Sequence, residues 1–207
     1  MEMKIVGVDR VTNGVLRGRF LDMCEKLKKA HPSTFHKRWV FHGCAEKYLD
    51  SILEKGLLNL SHPLMPEGVR ATDQGYFGST NTGVYVAANI DYAAKYSVPG
   101  LAPLEPGQRV KVLALEAALG RGYQFRGIAG PKAKLPDTAA DHGISQHGHE
   151  FWLVYANQCS VRFILHIEAF RRSRDSRCPD DGMRMDEHGQ PYFFDVEEDE
   201  SMMIGYG

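Results

Sequence analysis

The chain is poor in everything that would hold a protein together by means other than its own core. Its 207 residues include four cysteines, Cys24, Cys44, Cys159 and Cys178, none in a C-x-x-C pair. Neither a zinc cage nor a disulfide framework is indicated, and reduced thiols are expected. Net charge is nearly absent: 25 basic against 26 acidic residues leave −1, which excludes a strong non-specific attraction to nucleic acid or to an acidic membrane. No apolar run approaches the roughly 18 to 20 residues that span a bilayer. The opening MEMKIVGVDR has no apolar signal-peptide core. The expectation is a soluble, intracellular protein of the cytoplasm or nucleus. There is no internal repeat, and the length suits one well-filled domain better than two.

What is present is a strand-rich pattern with short helices. Leu16, Phe20, Met23 and Leu27 recur at helical spacing, and Pro32 stops that helix soon after Lys29. Trp39–His42 reads as a buried strand. The segment AEKYLDSILEKG places Leu49, Ile52 and Leu53 on one helical face, with Gly56 where a helix ends. Residues 57–82, with Pro63 and Pro66, are too irregular for a core element and read as a long functional loop. GVYVAA (83–88) is a short strand, and Asn89 can cap a helix from Ile90 to Tyr96. RVKVLALE (109–116) alternates like a half-buried strand. After about thirty residues rich in Gly, Pro, Asp and His comes FWLVY (151–155), apolar throughout as a strand covered on both faces should be. Beyond the turn Ala156-Asn157-Gln158, Val161, Phe163, Leu165 and Ile167 alternate with Arg162, His166 and Glu168. The class is α+β with a mostly antiparallel sheet, over residues 1–170. Residues 171–207 form a charged, turn-rich C-terminal extension whose Tyr192-Phe193-Phe194 could dock on the domain surface.

Three features stand in order: Phe41-His42-Gly43 at the end of a strand, Gly83-Val84-Tyr85-Val86-Ala87, and Glu150 opening EFWLVY. Singly, each has a bland explanation: a packed histidine beside a turn glycine, a core tyrosine, a solvated strand-edge glutamate. Together they resemble the His–Tyr–Glu signature of diphtheria-toxin-like ADP-ribosyltransferases, specifically the catalytic domain of the poly(ADP-ribose) polymerases. YFGSTNTGVYVAA (76–88) is similar to the family's YFGxGxYxA, EFWLVY to its E-x-x-V-Y, with Gln158 following, and Tyr96 stands eleven residues after Tyr85. The lead-in VDRVTNGVLRGRF is similar to the branch without a helical regulatory domain. The likeness covers roughly residues 8–170.

The resemblance implies an ADP-ribosyltransferase fold, with a split and mostly antiparallel sheet flanked by short helices. It implies NAD as substrate and transfer of ADP-ribose to a protein acceptor, which can be the chain itself, with release of nicotinamide and with single units favoured over polymer. By the same resemblance His42 would bond an adenosine-ribose hydroxyl, and Gly43 would offer its N–H and C=O to the nicotinamide carboxamide. Tyr85 and Tyr96 would sandwich the ring, and Glu150 would be the catalytic carboxylate beside His42 and Tyr85. The chemistry agrees. Nicotinamide leaves NAD neutral and needs no proton, so the usual pair of glycosidase carboxylates is unnecessary and one, Glu150, can stabilise the developing oxocarbenium ion and orient the acceptor.

This sequence departs from the family at three points. Cys44 stands where a hydroxyl residue is usual, Ala93 stands where a serine bonds the carboxamide, and FGSTNTGVY is longer than its counterpart. His142, His147 and His149 lie beside Asp141, but without helical spacing or a cysteine partner they do not make a metal site, and they are expected at the surface or against the acceptor. Two other functions compete: a non-catalytic module binding NAD or ADP-ribose, and transfer to nucleic acid, which the near-neutral charge does not favour.

Overall fold

The computed structural model describes residues 2–59, 62–65, 83–126, 140–171, 184–185 and 191–192. The chain divides into two units, Met1–Arg171 and Arg172–Gly207. Within the second, β9 (Arg184–Met185) and β10 (Pro191–Tyr192) pair antiparallel. Phe193 and Phe194 lie outside the described residues.

The first unit is an α+β domain on one eight-stranded, mostly antiparallel sheet. Its elements in chain order are β1 (Glu2–Arg10), α1 (Gly14–Ala30), β2 (His36–Gly43), α2 (Leu49–Lys55), β3 (Val84–Ala87), α3 (Ile90–Ala94), β4 (Arg109–Leu119), β5 (Gly122–Gln124), β6 (His142–Ile144), β7 (Glu150–Leu153) and β8 (Cys159–Phe170). The strands lie in the order β1-β8-β4-β2-β3-β7-β6-β5. Among the described strands only β5 and β6 run parallel. No described helix is long and apolar enough to cross a membrane.

β4 runs through the middle of the larger half and shows why the sheet is filled on both faces. Leu113 and Leu115 pack on one side with Val40, Val86, Phe151 and Leu153, while Val112 and Ala114 pack on the other with Ala93, Ala94, Leu165 and Ile167. Each such fully buried Leu or Val contributes about 1.5–3 kcal/mol relative to exposure. Helix α1 is started by Asn13, whose Oδ1 accepts the Leu16 N–H at 3.0 Å and whose amide donates to Leu53 O at 2.9 Å. Phe20, Cys24 and Leu27 bury its inner face against Ala118. Glu116 adds a polar tie, reaching Arg17 at 2.6 Å and Lys37 at 2.9 Å. Burial pushes its carboxyl up, but the two cations outweigh that and hold it below the usual range.

The sheet is nearly cut in two between β2 and β3, where one pair, Phe41↔Ala87, joins the halves. By contrast β2 pairs with β4 along its whole length, from His36↔Leu119 to Gly43↔Val112.

Several elements differ from the sequence-based expectation. β1 and the β5/β6 pair were not foreseen. The helix after Asn89 ends at Ala94, and Tyr96 sits in a separate 3-10 turn, Lys95–Ser97. Asn89 occupies the N-cap position without a side-chain capping bond, because its amide is turned to His149 instead. β7 begins at Glu150 and ends at Leu153, two residues short of the expected Tyr155, although the Val154 N–H still bonds Asp141 O beside β6 at 3.2 Å.

Candidate functional site

The split between β2 and β3 is where the sequence-singled residues collect. His42 is the last residue but one of β2, and its Nδ1 lies 2.9 Å from the Tyr85 carbonyl oxygen. A carbonyl only accepts, so Nδ1 carries the proton and donates, and Nε2 of the neutral ring is left as an acceptor. Burial lowers the His42 pKa and outweighs the opposing bond from Tyr85, so the ring stays neutral near pH 7.

The main chain at this point follows from the pleat. The Tyr85 carbonyl faces β2, and Ala87, two residues on, faces the same way against Phe41. By the same alternation the N–H and C=O of Gly43 point as those of Phe41 do, toward β3. No described β2–β3 pair continues the ladder there. Above the sheet, α3 presses onto Gly43 so closely that a Cβ would overlap the Ala93 carbonyl oxygen and come within 3.1 Å of Ser97 Oγ. Only a residue without a side chain fits. Gly43 and Ala93, far apart in sequence, are therefore direct neighbours.

Tyr85 pairs with Trp152 and Ala87 with Glu150. Directly opposed residues share a face, so the half-buried Tyr85 and the buried Glu150 project to the same side of β3–β7 as diagonal neighbours. Their alternates Val84, Val86, Phe151 and Leu153 go into the core. Tight packing aligns the two strands: a Cβ on Gly83 would collide with the Trp152 indole. The Glu150 backbone is pinned by Ser145, whose Oγ accepts the Glu150 N–H at 3.0 Å and whose N–H donates to Glu150 O at 3.0 Å.

Tyr96 lies with its ring centroid 5.8 Å from that of Tyr92. By register His42 follows Val40 and Leu113, opposite in face to Tyr85, so it meets Tyr85 through the main chain. Cys44 packs against the core, and burial pushes its thiol up to about 11. It is a protonated, apolar neighbour of the site at neutral pH, with no thiolate to react.

The histidines separate. His142 is buried on β6, its Nδ1 without a hydrogen-bond partner among the described residues, and burial followed by the nearby His36 lowers its pKa to about 4. His147 and His149 are exposed. Asp141 binds His31 at 3.1 Å and the Arg121 N–H at 3.0 Å. No group of three or more potential metal ligands occurs among the described residues. The loop segment 76–82 and residues 127–139 lie outside the described residues.

Sequence reasoning missed the contact of Tyr92 with His149, whose rings lie 16° from parallel with centroids 6.3 Å apart. The residues are 57 positions apart, and no spacing could have joined them. Comparison with models of known families finds no match, and no curated protein matches the chain.

Proposed function

We propose that the chain is an NAD-dependent ADP-ribosyltransferase that moves ADP-ribose to a protein acceptor, in single units, and releases nicotinamide. The observation that carries this reading is the His42–Tyr85 contact at the sheet split, with Gly43 beside it and Glu150 on the face of Tyr85.

Each group suits one part of NAD. A neutral His42 with Nε2 as acceptor can take a ribose hydroxyl proton donor. The N–H and C=O of Gly43, turned toward the gap, match the donor and acceptor of a carboxamide. Tyr85 and Tyr96 supply π faces for a cationic pyridinium. Glu150 would accept the 2-hydroxyl of the nicotinamide ribose and stabilise the positive charge that develops as the glycosidic bond lengthens. That bond breaks with its electron pair going to nicotinamide, which leaves neutral without an acid. Ala93, in place of a hydroxyl residue, removes one carboxamide hydrogen bond, worth on the order of 1 kcal/mol, and weakens ground-state binding more than turnover.

The test is mass spectrometry of the chain and of added proteins after incubation with NAD, with nicotinamide assayed in parallel. Nicotinamide release with an adduct of one ADP-ribose supports the proposal. Neither release nor adduct overturns it. The absent hydroxyl at Ala93 favours one second reading, a module that binds NAD without turnover. Calorimetric NAD binding with no nicotinamide released would select it.

A further inference from the structure

Strand β1 closes one end of the sheet: β8 pairs with its inner side, and among the described residues no strand pairs with its outer side. Native edges are blunted by shortness, charge, proline or a bulge. β1 has a bulge, yet it is nine residues long and exposes Ile5 at 54%, Val6 at 41% and Val8 at 54%.

The bulge decides which side chains share a face. Ile5 pairs with Ile167 and Gly7 with His166, so Val6 is an extra residue with no partner on β8. Alternation therefore restarts at Gly7. Ile5 and Val8, opposite Ile167 and Leu165, lie on one face, while Lys4 and Asp9, opposite Glu168 and Ile164, lie on the other. Without the extra residue Ile5 and Val8 would point oppositely, and so would Lys4 and Asp9.

The result is an edge complementary to itself. Turned about a two-fold axis beside Gly7, a second copy sets Gly7 against its own counterpart, where no side chain obstructs. Ile5 then meets Val8 of the copy on one face, and Lys4 meets Asp9 of the copy on the other, each pair occurring twice. The charges continue inward, for Lys4 Nζ lies 3.2 Å from Glu168 Oε1 and Asp9 Oδ2 lies 2.7 Å from His166 Nε2. A carboxylate, an ammonium, a carboxylate and an imidazole thus stand in sequence across the axis. A parallel pairing in register would instead set Lys4 against Lys4 and Asp9 against Asp9, which repel.

We infer that two copies of this chain join antiparallel along β1, running one sheet through both as a two-fold dimer. The inference stands apart from the transferase reading, and β8 and β4 lie between this joint and the split that holds the candidate site. One strand edge is small beside a standard interface, so the dimer is weak and reversible.

The experiment is sedimentation equilibrium of the full chain, without added residues, from micromolar to millimolar concentration. A monomer–dimer equilibrium is expected. Val8→Lys should leave a folded monomer, since the side chain it replaces is exposed and lies outside the core. Lys4→Glu and Asp9→Lys should each weaken self-association about tenfold, because two like-charge pairs replace two opposite ones. Mixed in equal amounts, these two variants should regain wild-type association, since each offers the charge that the other lacks. A monomer throughout the range, a dimer that Val8→Lys does not weaken, or a mixture that associates no better than either variant alone overturns the inference. Slow amide hydrogen exchange along β1 in a monomer also overturns it, by showing the edge already covered within one chain.

Discussion

The imidazole of His42 takes the Tyr85 carbonyl at the point where the backbone ladder between β2 and β3 stops, one residue past the Phe41↔Ala87 pair. A side chain thus does what the next main-chain pair would have done, and its second nitrogen is left as an acceptor.

Replacing His42 with alanine removes both roles. We expect KM for NAD to rise about tenfold, the scale of one lost hydrogen bond plus loosened strands, with kcat changed less. Steady-state nicotinamide release measured against NAD concentration separates the two. A fall in kcat alone would assign His42 to the chemical step instead.

Glu150→Gln keeps the shape and the hydrogen-bonding reach of the side chain while removing its charge. Because the charge acts where positive character develops, kcat should fall by about 10²–10³ with NAD affinity held within a few-fold. Calorimetry for binding and nicotinamide release for turnover check this. A kcat within a few-fold of wild type would remove Glu150 from the mechanism.

Gly43→Ala places a methyl group on the Ala93 carbonyl, which is backbone and cannot swing away. A loss of about 1–3 kcal/mol of stability is expected, from overpacking, together with loss of NAD binding as α3 is pushed off the sheet. Urea unfolding and NAD calorimetry measure the two effects. Gly14→Ala, at a position with open space around the added Cβ, is the control that should cost little.

His142 predicts an acid weakness. Its folded pKa, about 4, lies below the ordinary 6.5, so between those values the unfolded chain binds more protons and stability rises with pH. The contribution is complete above about pH 6.5 and is lost as pH falls toward 4, amounting to about 3 kcal/mol at most. Urea midpoints at pH 7.0, 5.5 and 4.5 should decline in that order, and His142→Leu should flatten the decline. An unchanged slope in the variant would place the acid sensitivity elsewhere.

The parts of the fold carried by periodicity were legible in the sequence. Helix α1 and β8 follow their apolar spacing, whereas β2, read as a buried strand, is largely exposed with Trp39 at 48%, and β4, read as half-buried, is buried on both faces because the sheet is covered there on both sides. β1 was not legible: Ile5, Val6 and Val8 are all exposed on an edge strand, so no buried face imposes a pattern. The three-residue strands β5 and β6 are too short to carry one. In the candidate site, the positions of His42, Gly43, Tyr85 and Glu150 at strand margins could be read ahead. The contact of Gly43 with Ala93 and the Tyr92–His149 stack could not, since both are made by elements that meet only through the tertiary fold.

The nearly severed sheet has a mechanical consequence. β1, β8, β4 and β2 form one plate, β3, β7, β6 and β5 another; the strand pairing described between them is one residue pair with one imidazole beside it, and a shared core of Val40, Leu113, Val86 and Phe151 spans both. A change in the angle between the plates breaks little strand pairing but must shear the core they share. Gly43 sits on the first plate and Glu150 on the second, so a molecule that touches both would gauge that angle and, once held, fix it.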